Sequence, residues 1–143
     1  MSEAAAPLLK VEGLKVHFPI RKGVLQRQVG AVKAVDGVDF TLGRGETLSL
    51  VGESGCGKST TGLALMGLVK ATEGSVSFDG QTVGSFHGAT LRNYRKRMQI
   101  VFQDPFSSLN PRQRVRDIIR APLDIHNVGT MAERKERVSE LMA

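Results

Sequence analysis

Residues 52–59 read Gly-Glu-Ser-Gly-Cys-Gly-Lys-Ser, a full match to G-x-x-x-x-G-K-[ST], a loop that wraps phosphate with its own backbone. The flanks complete the reading. Upstream, Glu46-Thr47-Leu48-Ser49-Leu50-Val51 is a strand-like run entered from the turn Gly43-Arg44-Gly45. Downstream, Ser59 to Leu68 predicts a helix. Strand, glycine-rich loop and helix in that order are what the motif requires. A glycine-rich turn that merely precedes a helix is the competing reading.

The residue types follow from the charge of a polyphosphate. Gly52, Gly55 and Gly57 carry no Cβ, so the backbone can approach the ligand and turn its N–H groups inward. The helix start adds unpaired amides and the positive end of its dipole. Lys58 is the candidate for the β- and γ-phosphates, and Ser59 the candidate Mg²⁺ ligand. The nucleotide contact set expected from the loop is Gly52, Glu53, Ser54, Gly55, Cys56, Gly57, Lys58, Ser59 and Thr60. Cys56 reads as a small filler, because no paired base is visible to make it a nucleophile. Its place near a helix start could still make the thiol reactive.

Bulk properties narrow the classes. At 143 residues with 41% apolar side chains, the chain suits one domain with a core. No apolar run is long enough to span a bilayer. Residues 1–7 read as a flexible leader rather than a secretory signal. A single cysteine makes no internal disulfide and suits a reducing compartment. His17, His87 and His126 lack metal-ligand spacing and read as surface or structural residues. The net charge of +6 gathers at Arg21, Lys22 and Arg27, at Arg92, Arg95, Lys96 and Arg97, and at Arg112, Arg114, Arg116 and Arg120. Without interleaved aromatics or a recognition helix, solvated faces are the preferred reading and nucleic acid is an unlikely partner.

Hydrophobic period sets the remaining elements. In 8–18, Leu9 and Val11 share one parity and Leu14, Val16 and Phe18 the other. The slip at Gly13 predicts a bulge. Residues 19–31 read as a polar, basic excursion between strands. Val38, Phe40 and Leu42 alternate with polar neighbours, as do Val76 and Phe78, and Asp79-Gly80 signals a turn. A helix is predicted over Ala89–Arg97, then a strand at Met98–Phe102. Another helix is predicted over Val115–Arg120, ending before Pro122. A last one starts at Thr130, where Thr130-Met131-Ala132-Glu133 is a capping box. It is expected to carry a Glu133–Arg137 pair and an apolar face of Met131, Val138 and Leu141. The fold class is α/β: a P-loop NTPase core with an antiparallel β subdomain and the start of a helical subdomain.

Residues 99–112 read Gln-Ile-Val-Phe-Gln-Asp-Pro-Phe-Ser-Ser-Leu-Asn-Pro-Arg. Together with Gly-Glu-Ser-Gly-Cys-Gly-Lys-Ser-Thr at 52–60, this resembles the ATP-binding subunits of ABC transporters. Within them it is similar to the dipeptide/oligopeptide importer group, as are the basic stretch at 19–31 and the run at 31–38. The resemblance covers the chain from Leu8 onward. It implies that residues 8–143 are the N-terminal portion of one ATP-binding domain, with the helical subdomain starting near 104. Gln103 matches the Q-loop glutamine, which the resemblance casts as a γ-phosphate sensor that helps hold Mg²⁺ and attacking water. The catalytic candidates are thus Lys58 and Gln103, and the metal candidates Ser59 and Gln103. Phe18 matches the aromatic that stacks on adenine; a core phenylalanine ending a strand is the alternative. Phe106, Leu109 and Arg112 fall where the family receives a coupling helix, or they pack inside the helical subdomain.

The implied function is ATP-driven import of peptides or similar small solutes, with ATP and Mg²⁺ as cofactors. The implied partners are transmembrane permease subunits, a second ATP-binding subunit and, indirectly, an extracytoplasmic solute-binding protein. The implied location is peripheral, at the cytoplasmic face of the cell membrane. The family's signature loop, Walker B strand with its catalytic Glu, and switch His do not occur before Ala143, so little or no turnover is expected of this stretch alone. Two other classes stay open: a soluble P-loop ATPase acting on nucleic acid, and a nucleotide-binding fragment without turnover.

Overall fold

Alternating apolar residues build the sheet. In the computed structural model, which describes residues 6–23, 27–104 and 108–143, strand β1 (Leu9–Lys22) pairs antiparallel with β2 (Arg27–Leu42) and with β3 (Glu73–Phe78). A two-residue strand β4 (Gln81–Thr82) closes the order β2-β1-β3-β4. Leu9, Val11, Leu14, Val16, Val35, Val76 and Phe78 are buried and form the core of this layer. The chain divides into two compact units, Met1–Leu91 and Arg92–Ala143.

The predicted slip at Gly13 is a bulge. The pairing jumps from Val11–Phe40 to Leu14–Val38, and the Gly13 N–H donates to Asp39 Oδ1 at 2.7 Å. The jump lets Leu9 and Val11 share a buried face with Leu14 and Val16 despite opposite parity. The turn at Asp79-Gly80 also forms. Both residues have positive φ (52° and 76°), and Phe78 pairs with Gln81 across it, the arrangement that suits strand twist.

The excursion expected at 19–31 is a correction. Pro19 pairs with Ala31, Ile20 with Gly30 and Lys22 with Arg27. Residues 19–22 and 27–31 are therefore the outer part of a long two-stranded ribbon. Its composition hid the ladder, because a ribbon open to solvent on both faces needs no apolar alternation.

Two expected strands do not form. Glu46–Val51 and Met98–Phe102 join no ladder. Leu48, Leu50, Val51, Val101 and Phe102 are all exposed. A central parallel strand is held by neighbours at its edges. Among the described residues neither run has such a neighbour.

Helix α1 (Lys58–Leu65) follows the phosphate loop. A 3₁₀ turn at Val83–Ser85 leads towards α2 (Gly88–Arg97), which begins one residue before the predicted helix. In α2 Tyr94 is buried, and burial pushes its hydroxyl pKa up to about 12.

Helices α3 (Val115–Ile125) and α4 (Met131–Met142) form a hairpin. Contrary to expectation, α3 runs through Pro122 rather than stopping before it. Proline removes one N–H donor there, while Arg120 holds the following turn through Nε to Asp124 Oδ2 at 3.0 Å. The predicted capping box forms: Glu133 N–H donates to Thr130 Oγ1 at 3.3 Å, and Thr130 N–H to Glu133 Oε2 at 2.6 Å. That engagement takes Glu133 away from Arg137, which pairs instead with Glu140 at 2.8 Å. Of the expected apolar face only Val138 is buried; Met131 and Leu141 are exposed.

Asp124 ties the hairpin together, accepting from Arg134 Nη1 at 3.0 Å as well as from Arg120. The Arg134 hydrogen bond, followed by that of Arg120, holds its carboxyl below the usual 3.8. The Thr130 backbone N–H does the same for Glu133, below 4.5. Carboxylates with depressed folded values stabilise above their unfolded pKa and lose that contribution as pH falls through the folded one. Helix signal from α3 and α4 is therefore expected to fall as pH drops below about 4.5. Circular dichroism against pH checks this, with Asp124→Asn giving a lower plateau and a shallower acid limb.

Candidate functional site

The loop closes on Lys58. Its ammonium donates to the carbonyl oxygens of Gly52 at 2.7 Å and Glu53 at 2.6 Å, with Cys56 Sγ at 3.3 Å. All three N–H donors of the side chain are thus aimed into the hollow of the loop. A weak turn, Cys56 N–H to Glu53 O at 3.4 Å, shapes its rim. Residues 52–56 are exposed, so the hollow faces solvent. Bringing a cation to the middle of a glycine-rich loop is the arrangement an incoming polyphosphate exploits.

The start of α1 contributes next. Gly57 is its N-cap, at φ 93°, and no side chain caps the helix. The first backbone amide taken is that of Thr61, which donates to Gly57 O at 2.8 Å. Among the described residues, the amides of 57–60 make no backbone hydrogen bond. Those free donors and the dipole's positive end favour an anion. Thr61 is buried, and its hydroxyl also bonds to Gly57 O at 3.0 Å. Ser59 is exposed in the first turn.

What seats the loop is strand β2. A Cβ on Gly57 would run into the Ala34 carbonyl oxygen, with Val35 Cγ2 beyond it. Ala34 is the residue passed over where the ladder steps from Val16–Val35 to His17–Lys33. A bulge in the antiparallel sheet therefore meets the helix start at a point that accepts only glycine. Sequence reasoning missed Ala34. Its one trace was the mixed parity of 31–38, which marks irregular pairing.

Phe18 lies on β1 opposite Val32, 44% exposed. That is two residues along the ribbon from the Ala34 seat, or roughly 7 Å at the rise of a strand. The aromatic is not part of the core, which removes the alternative reading of Phe18 as a packed strand end. Gln103 belongs to the second unit, exposed at the end of a segment without ladder pairing. The strand expected to deliver it is not formed. Phe106 lies outside the described residues. Leu109 is half exposed, and Arg112 N–H donates to Asn110 Oδ1 at 3.0 Å within its own turn.

Metal fit rests on chemistry rather than on a cluster. Among the described residues no group of three His, Cys, Asp or Glu side chains could hold an ion. Mg²⁺ bound with a nucleotide keeps most of its waters and takes few protein ligands, and the exposed Ser59 hydroxyl suits that role.

Residues 35–143 match the family model described as ABC transporter. The chain belongs to the ABC transporter family. This ABC chain is 54% identical over 137 residues to the oligopeptide transport ATP-binding protein AppF of Bacillus subtilis, covering 95% of itself and 42% of that protein. It is 50% identical over 139 residues to the glutathione import ATP-binding protein GsiA of Pectobacterium atrosepticum, covering 97% of itself and 22% of the relative. Among solved structures, the ATP-binding cassette MJ0796, as a dimer in a post-hydrolysis state bound to ADP and Pi, matches with TM-score 0.72 at 27% identity. That match covers 92% of this chain and 54% of the other. The chain thus spans less than half the length of these curated relatives. Among the described residues, no helix is long and apolar enough to cross a membrane.

Proposed function

We propose that this chain carries the ATP-binding loop of a motor subunit that powers ABC-type import of peptides or similar small solutes. The observation that carries the reading is the Lys58 ammonium held inside the 52–57 loop, ahead of the free amides of α1. Similarity to import ATP-binding proteins for oligopeptides and glutathione supports the cargo class.

In this reading Gly52–Thr60 wrap the β- and γ-phosphates, and Ser59 would hold Mg²⁺, which would supply charge neutralisation on the phosphates. Lys58 balances charge that develops on the γ-phosphate. Gln103 is assigned by its match to the Q-loop glutamine alone, as a residue that would orient water and help hold Mg²⁺. Two such subunits act as a pair beneath transmembrane permease subunits. Leu109 and Arg112 border the surface that receives the permease, and an extracytoplasmic solute-binding protein delivers cargo to the permease. The location that follows is peripheral, on the inner face of the membrane. ATP hydrolysis belongs to the intact subunit.

Equilibrium dialysis with ATP and Mg²⁺ tests the binding step. Saturable binding displaced by inorganic triphosphate is expected; retention no greater than that of a non-nucleotide control at about 1 mM, the upper range of ordinary substrate constants, would overturn the reading. The import step is tested by uptake of a labelled oligopeptide in cells that depend on this subunit.

Phe18 is assigned to adenine. Stacking of a base on an aromatic ring contributes roughly 1–3 kcal/mol by alanine substitution. Phe18→Ala should therefore weaken ATP by about tenfold and leave inorganic triphosphate nearly unchanged. Equal losses for both ligands, measured by competition, would remove the stacking role.

A further inference from the structure

Beside the Ala34 seat lies a side-chain bracket that is no part of the phosphate loop itself. His17 Nε2 and Asp36 Oδ1 are 2.9 Å apart, joining β1 to β2. Because an ionised carboxylate only accepts, the imidazole donates. Lys33 Nζ reaches the other oxygen, Asp36 Oδ2, at 3.1 Å. Lys33 and Asp36 stand on either side of Ala34 and Val35, so their pair spans the bulge along β2, while His17 spans it across the ladder. Lys33 first, then His17, holds the Asp36 carboxyl below its usual range.

His17 is pinned from its other side as well. Its backbone N–H donates to Thr72 Oγ1 at 2.9 Å, and Thr72 N–H donates to Lys15 O at 2.7 Å. Next to it, Lys15 and Glu73 form an ion pair at 2.7 Å. The charged groups around the imidazole are thus Asp36 and Lys33 from β2, Lys15 from β1 and Glu73 from β3. Only 17% of the His17 side chain is exposed, against 44% for Asp36. One residue further along β1 is Phe18.

We infer that His17 and Asp36, with Lys33, are positioning residues for the phosphate loop: they hold the shape of the bulge on which Gly57 rests. The inference relies on the ATP-binding reading above. A bulge leaves a residue outside the ladder and free to shift. Here that residue's carbonyl meets Gly57 with no room to spare, so a shift of Ala34 is passed directly to the helix start. The exposed Lys33–Asp36 pair has little stake in stability, since exposed ion pairs contribute little to it. The bracket therefore acts on loop geometry.

The test uses the full chain and two ligands, ATP and inorganic triphosphate, with thermal melting alongside. His17→Phe should weaken both ligands by roughly three- to tenfold, the effect of one lost hydrogen bond on alignment, with little change in melting temperature. This differs from Phe18→Ala, which acts on ATP alone. His17→Gln keeps an N–H donor and should restore most of the affinity. Lys33→Met, on an exposed side chain, should give a smaller loss in the same direction and serves if His17→Phe fails to fold. Wild-type affinity in both His17→Phe and Lys33→Met, or a His17→Gln variant as weak as His17→Phe, would overturn the inference alone. A wild-type chain that binds neither ligand would overturn the ATP reading together with it.

Discussion

Lys58→Ala is expected to raise the Kd for ATP by between tenfold and a few hundredfold. Hydrogen bonds to a charged group contribute about 1.5–3 kcal/mol each, and 1.4 kcal/mol is a factor of ten. The lower bound corresponds to losing one such bond at about 1.5 kcal/mol, the upper to losing two at about that value or one at about 3 kcal/mol. The ammonium already sits among the carbonyls of Gly52 and Glu53 and the Cys56 thiol, so binding requires only that it exchange carbonyl oxygens for phosphate oxygens. Inorganic triphosphate should suffer as much as ATP, because the contact is to phosphate. Lys58→Arg is not a rescue: a planar guanidinium cannot occupy a hollow shaped for a point charge. Calorimetric titration decides the matter, and an unchanged ATP affinity in Lys58→Ala would dismantle the phosphate assignment.

Gly74→Ala should lower unfolding free energy by roughly 2–4 kcal/mol, among the large effects of single substitutions. Gly74, the second residue of β3, has φ 78°, and a Cβ there would collide with the Gly13 carbonyl group and the Glu12 carbonyl oxygen. Two costs add. The left-handed backbone is unfavourable for any residue with a Cβ, at about 1–2 kcal/mol. The collision is with backbone, which has no rotamer to yield, and it falls on the β1 bulge that brings Leu9, Val11, Leu14 and Val16 into one core. Gly80→Ala is the matched control. Its φ is 76°, but nothing lies within 4 Å of its Cβ position, so only the first cost applies. Chemical denaturation of both variants gives the comparison. Equal losses would show that the approach of β3 to the bulge carries no stability of its own.

Local rules made a good part of this molecule legible in advance. The bulge at Gly13 was visible because a parity slip has one remedy if every apolar side chain is to reach the same core. The Asp79-Gly80 turn and the Thr130 capping box were visible because their chemistry is complete within four residues. The ribbon at 19–22 and 27–31 was not, although its pairing is local, because a ladder open to solvent carries no apolar alternation. Interactions decided by competing partners were not legible either. The Glu133–Arg137 pair is permitted by spacing, but a nearer backbone donor took the carboxylate. Pro122 ends a helix by rule, yet Arg120 and Arg134 converge on Asp124 and hold the turn beyond it.

The candidate site divides along the same line. By itself the sequence determined the proposed ligand class, because eight consecutive residues contain the cation, the hydroxyl and the glycines that phosphate chemistry demands. Its neighbours at 99–112 determined the family. Tertiary structure alone decided what the loop rests on: the Ala34 carbonyl, the bulge around it and the His17–Asp36–Lys33 bracket. It also decided that Phe18 stands outside the core and that the runs at 46–51 and 98–102 join no ladder. The physical reason is range. A loop that binds through its own backbone is written in contiguous residues, whereas a seat, a bracket and a strand ladder exist only when segments far apart in the chain meet.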